Sequence, residues 1–163
     1  MKKTIFRYGC RAGITITTFS TINWFLFSDL LDYSSSEIVG YLSILVALST
    51  IPLSIRYYQQ QHSKQPLSLK EIWSLGIGIS TVAATFMYLY SALFFHYMGD
   101  DFMQWTQANM DSTQWQQMQA QMATMPSYFL SPWFQAFVMF ATVFLIGVII
   151  TIICTLVVKL RPN

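Results

Sequence analysis

Apolar residues fall in four long blocks along this chain, near 12–27, 38–55, 72–95 and 133–158, with short polar stretches between them. A helix needs ~20 mainly apolar residues to cross the hydrocarbon core of a bilayer, and the blocks are of that order. The pattern predicts an all-α protein. It is expected to be an integral membrane four-helix bundle, one domain over 1–163, with an amphipathic helix near 111–125 between the third and fourth spans. Composition agrees: 10% of residues are charged, whereas soluble domains carry roughly a quarter.

Charge adds an orientation. The basic residues are Lys2, Lys3, Arg7 and Arg11, then Arg56, Lys64 and Lys70, then Lys159 and Arg161. The alternate segments hold no base and carry Asp29, Asp32, Glu37, Asp100, Asp101 and Asp111. Counting Glu71 with the nine bases, one side sums to +8 and the other to −6. By the positive-inside rule, both termini and the central loop are expected in the cytoplasm. Lipid headgroups account for the basic residues, and no stacking or base-reading set points to nucleic acid. Cys10 and Cys154 fall on the expected cytoplasmic side, where thiols stay reduced. No small-x-small cleavage site follows Phe27, so the first block reads as a retained helix.

Small residues recur every third or fourth position in each block. Gly9, Gly13, Thr17 and Thr21 do so in the first, and Gly76, Ser80 and Ala84 in the third. Gly147, Thr151 and Thr155 mark the fourth, and Ser43, Ala47, Thr50 and Ser54 the second. Such stripes let helices approach closely, with homo-oligomer contact or a polar pathway as the alternatives. Asn23 is read as a helix-to-helix hydrogen bond. Pro52 predicts a kink whose freed carbonyl Ser49 or Ser54 could satisfy. Tyr57, Tyr58 and Trp73 read as anchors at one interface, Trp24 and Trp133 at the other. Ser68 and Glu71 have capping-box spacing, and His62 reads as a loop residue.

The stretch between Gly99 and Pro132 holds three acids, no base and seven glutamines. Trp115, Met118, Met122 and Met125 form an apolar stripe at helical spacing, with Asp111 or Ser112 as cap and Pro126 as stop. Phe102, Trp105 and Met110 suggest a shorter helix or turn before it. Basic residues usually face the headgroups on membrane-surface helices, and their absence here points the stripe towards protein. Methionine thioethers can bind Cu(I), but the stripe lacks a Cys/His cluster and reads as an adaptable apolar surface. His96 and Asp100 are spaced to meet on a helix, yet no third ligand accompanies them. No Asp, Glu, Lys or Arg lies at bilayer depth, where ion pathways and proton relays place them. No catalytic motif is present, so neither enzymatic activity nor a cofactor or metal is expected.

An ordered set of short pieces also resembles a known family. They are Lys2-Lys3-Thr4, Tyr8-Gly9, Ala12-Gly13, Glu37-Ile38-Val39-Gly40-Tyr41 and Ile55-Arg56-Tyr57-Tyr58. Leu67-Ser68-Leu69-Lys70, Leu75-Gly76-Ile77-Gly78, Asp101-Phe102 and Pro132 continue the order. The chain resembles the bacterial membrane family termed domain of unknown function 4199, over nearly its whole length. The resemblance implies a four-pass membrane protein of no established activity and carries no catalytic residue. The glutamine-rich outer helix departs from the alternating Glu and Lys expected there.

The functional expectation is a small, non-enzymatic inner-membrane protein. It would work by contact with a membrane or envelope protein, or with its own copies. Trp115, Met118, Met122 and Met125 are the candidate surface, and Gly9, Gly13, Gly76, Ser80 and Gly147 the candidate packing positions. The alternatives are a small transporter or channel subunit for a neutral solute, favoured by the Thr-rich first helix, and a Met-rich Cu(I)-handling protein.

Overall fold

The computed structural model describes residues 1–61 and 67–160, the last two by backbone alone; His62, Lys64 and Arg161 lie outside the described residues. The described chain is helical, with no strand: α1 (Lys2–Phe27), α2 (Tyr33–Leu48), α3 (Thr50–Gln61), α4 (Leu69–Asn109), α5 (Ser112–Thr124) and α6 (Pro132–Leu160). A 3-10 turn at Ser127–Leu130 leads into α6. The capping box forms as spaced. Ser68 Oγ accepts from the Glu71 N–H at 3.3 Å, and the Ser68 N–H donates to Glu71 Oε2 at 2.9 Å.

Side-chain pairings give the direction of each helix. Positions Gly9 and Gly13 of α1 face Val82 and Phe86 of α4, and Gly78 of α4 faces Ile5 of α1. The pairs advance together, so α1 and α4 run parallel. Gly76 faces Thr151 while Gly147 faces Ser80. Those pairs advance in opposite senses, so α4 and α6 are antiparallel. Asn23 bonds Ser36 at 2.8 Å near the α1–α2 turn, and Tyr8 stands 5.9 Å from Tyr57 at the far end, so α2 and α3 descend beside α1. The result is an up-down-up-down arrangement. One end carries the described basic side chains and the other the acids of the loops, here called the basic and acidic ends.

Glycine at the crossing points is a steric requirement. A Cβ at Gly9 would stand 2.6 Å from Val82 Cβ, and one at Gly13 would stand 2.6 Å from Phe86 Cβ. At Gly76 and Gly147 it would strike the Thr151 and Ser80 hydroxyls outright. Those hydroxyls already donate to Gly147 O and Gly76 O at 2.7 Å, so the seam buries no unpaired polar group.

The outside of the protein is apolar. Phe6, Ile14, Leu45, Leu53, Leu93 and Leu145 are exposed, whereas Ser54, Ser80 and Thr151 are buried. Contiguous exposed apolar surface on this scale is foreign to water-soluble monomers and natural against lipid. Three helices are long and apolar enough to cross a membrane: Tyr33–Gln61, Leu69–Asn109 and Pro132–Val158. This is a small membrane protein. The first helix is not among those three, because Arg11, Asn23 and its Thr and Ser residues lower its mean hydropathy.

Four details differ from the sequence reading. The α2–α3 break falls at Ser49 rather than at Pro52. The hydroxyls of Ser49 and Ser54 donate to Val46 O and Ile51 O, not to the carbonyl four residues before Pro52. The chain does not turn near Gly99. Instead α4 continues for 41 residues, ~61 Å at 1.5 Å per residue, and so extends far past any bilayer core. Tyr58 is buried core instead of an interface anchor.

Replacing Gly147 by Leu forces the α4–α6 seam apart and should destabilise the protein by roughly 1–3 kcal/mol in thermal unfolding in micelles. Gly99 has nothing within 4 Å of a built Cβ. Gly99→Ala should therefore raise stability by about 0.5–1 kcal/mol, as expected for a helical glycine in open space.

Candidate functional site, an aromatic-lined cavity at the acidic end

The continuation of α4 beyond residue 95 organises the acidic end. Phe94, Phe102 and Trp105 share one face of α4, eight and three residues apart, and that face meets Trp24 of α1. The Trp24 ring lies 5.2 Å from Phe94, 5.7 Å from Phe102 and 5.8 Å from Trp105, two of the three edge-on. Trp24 therefore packs within the protein rather than anchoring alone at a lipid interface. Tyr33 at the start of α2 joins the group at 6.4 Å from Trp105. Edge-to-face pairs at these separations contribute roughly 0.5–1.5 kcal/mol each beyond burial.

Polar bonds fix the same corner. Trp105 Nε1–H donates to Ser28 O at 2.7 Å, tying the α4 extension to the α1–α2 turn. Thr106 is buried, and its hydroxyl returns to Phe102 O at 2.8 Å. In the turn, the Ser35 hydroxyl beside Asp32 holds that carboxyl below the usual carboxylate range.

Beneath the cluster lies a cavity of about 340 Å³, bounded by α1, α2, α4 and α6. Small-molecule sites typically measure ~300–1,000 Å³. Nine of its lining residues are aromatic, and none is Lys, Arg or His. Its polar wall includes Ser20, Ser36, Ser43 and Asn23, and Glu37 stands exposed at its rim. The helix-to-helix bond expected of Asn23 is present, since Nδ2–H donates to Ser36 Oγ at 2.8 Å. The other half of the amide is not accounted for: Asn23 Oδ1 is enclosed and has no hydrogen-bond partner. Burying such an acceptor unpaired costs ~1–3 kcal/mol.

Residues 7–159 match the family described as "Protein of unknown function (DUF4199)". The chain belongs to that family. No curated protein and no solved structure matches it.

Within this DUF4199 chain the sequence-selected positions separate into two groups. Gly9, Gly13, Gly76, Ser80 and Gly147 lie in the helix seams described above, away from the cavity. Trp115, Met118 and Met122 are the half-buried positions of α5, while every other residue of that helix is exposed. Met125 lies one residue past the end of α5 and is exposed. Asp111 caps α5, accepting from the Thr113 N–H at 2.8 Å. His96 is exposed and stands 4.8 Å from the Tyr97 ring. Among the described residues, no three of His, Cys, Asp or Glu converge as a metal site. The cavity itself escaped sequence reasoning. Its one signal in the sequence is the face shared by Phe94, Phe102 and Trp105, which exists only because α4 continues past the apolar block that ends near 95.

Trp105→Phe keeps the ring packing but deletes the bond to Ser28 O. It should cost about 1 kcal/mol, read as faster hydrogen exchange over 100–109 with the protection of 72–92 unchanged.

Proposed function

We propose that this protein is a four-pass protein of the bacterial inner membrane, with its basic end in the cytoplasm. On the outer side it binds a small molecule in the aromatic-lined cavity without transforming it. The ligand-sized cavity walled by nine aromatic residues carries this reading. Its aromatic wall supplies apolar contact, and Ser20, Ser36 and Ser43 supply a few polar groups.

The four-pass part rests on packing. Parallel contact of α1 with α4 runs from the Ile5–Gly78 pair to Trp24–Phe94, ~28 Å of α1 at 1.5 Å per residue. A helix flanked over that distance by an apolar spanning helix shares its depth. Its hydroxyls are compatible with lipid, because Thr17 and Thr21 donate to Gly13 O and Thr17 O at 3.0 and 2.8 Å. The non-enzymatic part is supported by the cavity lining, which holds no imidazole, thiol or amine and a single carboxylate, Glu37, exposed at the rim.

A second reading, contact with a membrane or envelope protein or with another copy of the chain, is favoured by one observation. The stripe Trp115, Met118 and Met122 sits on a helix with no buried residue, so that face has room for a partner. Transport of a neutral solute would use the same cavity.

In a variant with Cys10 and Cys154 changed to Ser, single cysteines at 29 and 111 should react with a membrane-impermeant maleimide on intact cells. Cysteines at 3 and 70 should react only after the membrane is opened. Equal labelling at 3 and 29 would refute the crossing of α1. For binding, a panel of cationic, neutral and anionic aromatic solutes should contain one that raises the unfolding temperature in nanodiscs, by about 2.7 kcal/mol of stability at a hundredfold excess over Kd. Gly40 lines the cavity with nothing within 4 Å of a built Cβ, so Gly40→Leu should fold normally and remove the effect.

A further inference from the structure

The cavity is deep, roofed and open at the side. The innermost residues lining it are Phe19 of α1, Ile44 of α2, Met87 of α4 and Thr142 of α6. Each lies within four residues of the midpoint of its apolar block, near 12–27, 38–55, 72–95 and 133–158. The floor of the cavity therefore stands near the middle of the bilayer. Along α2 the lining runs from Tyr33 to Ile44, ~16 Å at 1.5 Å per residue. Half of a ~30 Å hydrocarbon core has that depth, so the cavity spans one leaflet.

Its end towards water is covered by the rings of Trp24, Tyr33, Phe102 and Trp105, pinned by the bond from Trp105 to Ser28 O. Its flank is not covered. Phe19, Tyr41 and Val138 line the cavity and are 44%, 48% and 42% exposed, within the apolar outer surface. The gap has a cause in the packing: α2 leans mainly on α1 and meets α4 and α6 only sparsely. Polar side chains in the wall are in large part occupied. Ser43 and Thr142 donate to Gly40 O and Val138 O at 2.6 and 3.0 Å, and Asn23 donates to Ser36 Oγ at 2.8 Å. A polar solute would exchange water for a wall with few free donors. An alkyl chain has no such bonds to lose, and it restores the dispersion contacts that an empty cavity forfeits.

We propose that the cavity seats an acyl chain of a lipid from the surrounding leaflet, which enters sideways between α2 and α6 and leaves its headgroup at the rim. This rests on the binding and four-pass readings above and narrows the ligand from small molecules in general to a membrane lipid. Trp24 and Trp105 line the cavity and serve as internal fluorophores.

The test uses the full chain with Trp73, Trp115 and Trp133 changed to Phe. It is placed in nanodiscs of phosphatidylethanolamine and phosphatidylglycerol, with plain chains or with chains brominated at their middle, since bromine quenches tryptophan at close range. The brominated chains should remove most of the emission. Gly40→Leu, which fills the cavity, should restore most of it, and Val138→Phe, at the side opening, should restore part. Leu145→Phe, exposed on α6 outside the cavity, should change nothing, and the unfolding temperature verifies that each variant folds. Equal quenching in Gly40→Leu and its parent would overturn the seating of the chain in the cavity. Equal quenching in Val138→Phe would overturn the route between α2 and α6. Native mass spectrometry of the detergent-purified parent, which needs no variant, should show one retained phospholipid, and a lipid-free protein would overturn the proposal. Absent quenching together with a panel solute that raises the unfolding temperature would sink the lipid assignment and leave the binding reading standing. Binding by neither lipid nor solute would overturn both.

Discussion

Close contact between α4 and α6 is the constraint on which the other features depend. It is made by a reciprocal pair, glycine on each helix receiving a hydroxyl-bearing residue of the other: Gly76 with Thr151, and Gly147 with Ser80. Each hydroxyl is spent on a carbonyl of its own helix, so the helices approach without burying an unpaired donor. In lipid, where apolar surface gains little from meeting other apolar surface, packing of small residues is the main source of helix association. Once α4 is held against α6, its other face is free to seat α1 through Gly9 and Gly13. Thus α4 is the shared wall of the bundle, and its extension past the bilayer core becomes a strut for everything at the acidic end.

Hydroxyl groups follow one rule through most of the structure. Thr17, Thr21, Ser80, Thr151 and Thr155 all donate to carbonyls four residues back. Around the α2–α3 break, Ser43, Ser49, Thr50 and Ser54 donate three residues back instead. Either way the polar atom is satisfied within its own helix, and a Thr-rich segment becomes compatible with a dry setting. Against that background Asn23 is an exception with physical content. An amide has a donor and an acceptor end, and only the donor end is used, to join α1 to α2. The acceptor end is enclosed by protein and has no hydrogen-bond partner, a cost accepted where α1 is joined to α2.

Local features were readable from sequence, and relations between distant residues were not. The Ser68–Glu71 box, the Asp111 cap and the all-helical character depend on residues within a turn or two of each other, and the structure shows each. The family assignment was likewise carried by an ordered set of short pieces. Small-residue stripes could be seen as stripes, but the partner of each could not, because Val82 and Phe86 carry no mark of facing Gly9 and Gly13. The continuation of α4 was hidden because Gly99, Asp100 and Asp101 resemble the end of a span. They prove compatible with an exposed helix whose other face is held by Trp105 on Ser28, 77 residues away in sequence. The cavity was least legible. It joins α1, α2, α4 and α6, whose lining residues run from Phe19 to Thr142 and meet only in the folded chain.

The asymmetry of charge also needs two explanations where one first sufficed. Exclusion of Lys and Arg from one side follows from membrane insertion, and that rule is blind to acids, since Asp and Glu contribute little to topology. Neutral polar residues would have met the topological requirement equally well, as the seven glutamines of the same region show. Six carboxylates nevertheless gather there, and one of them, Glu37, stands at the mouth of the cavity. The Ser35 hydroxyl holds another, Asp32, below the usual carboxylate range. Their repulsion tends to destabilise a compact loop cluster, and the described structure opposes them with no base at that end. A potential maintained without a structural counter-ion is available to a mobile one.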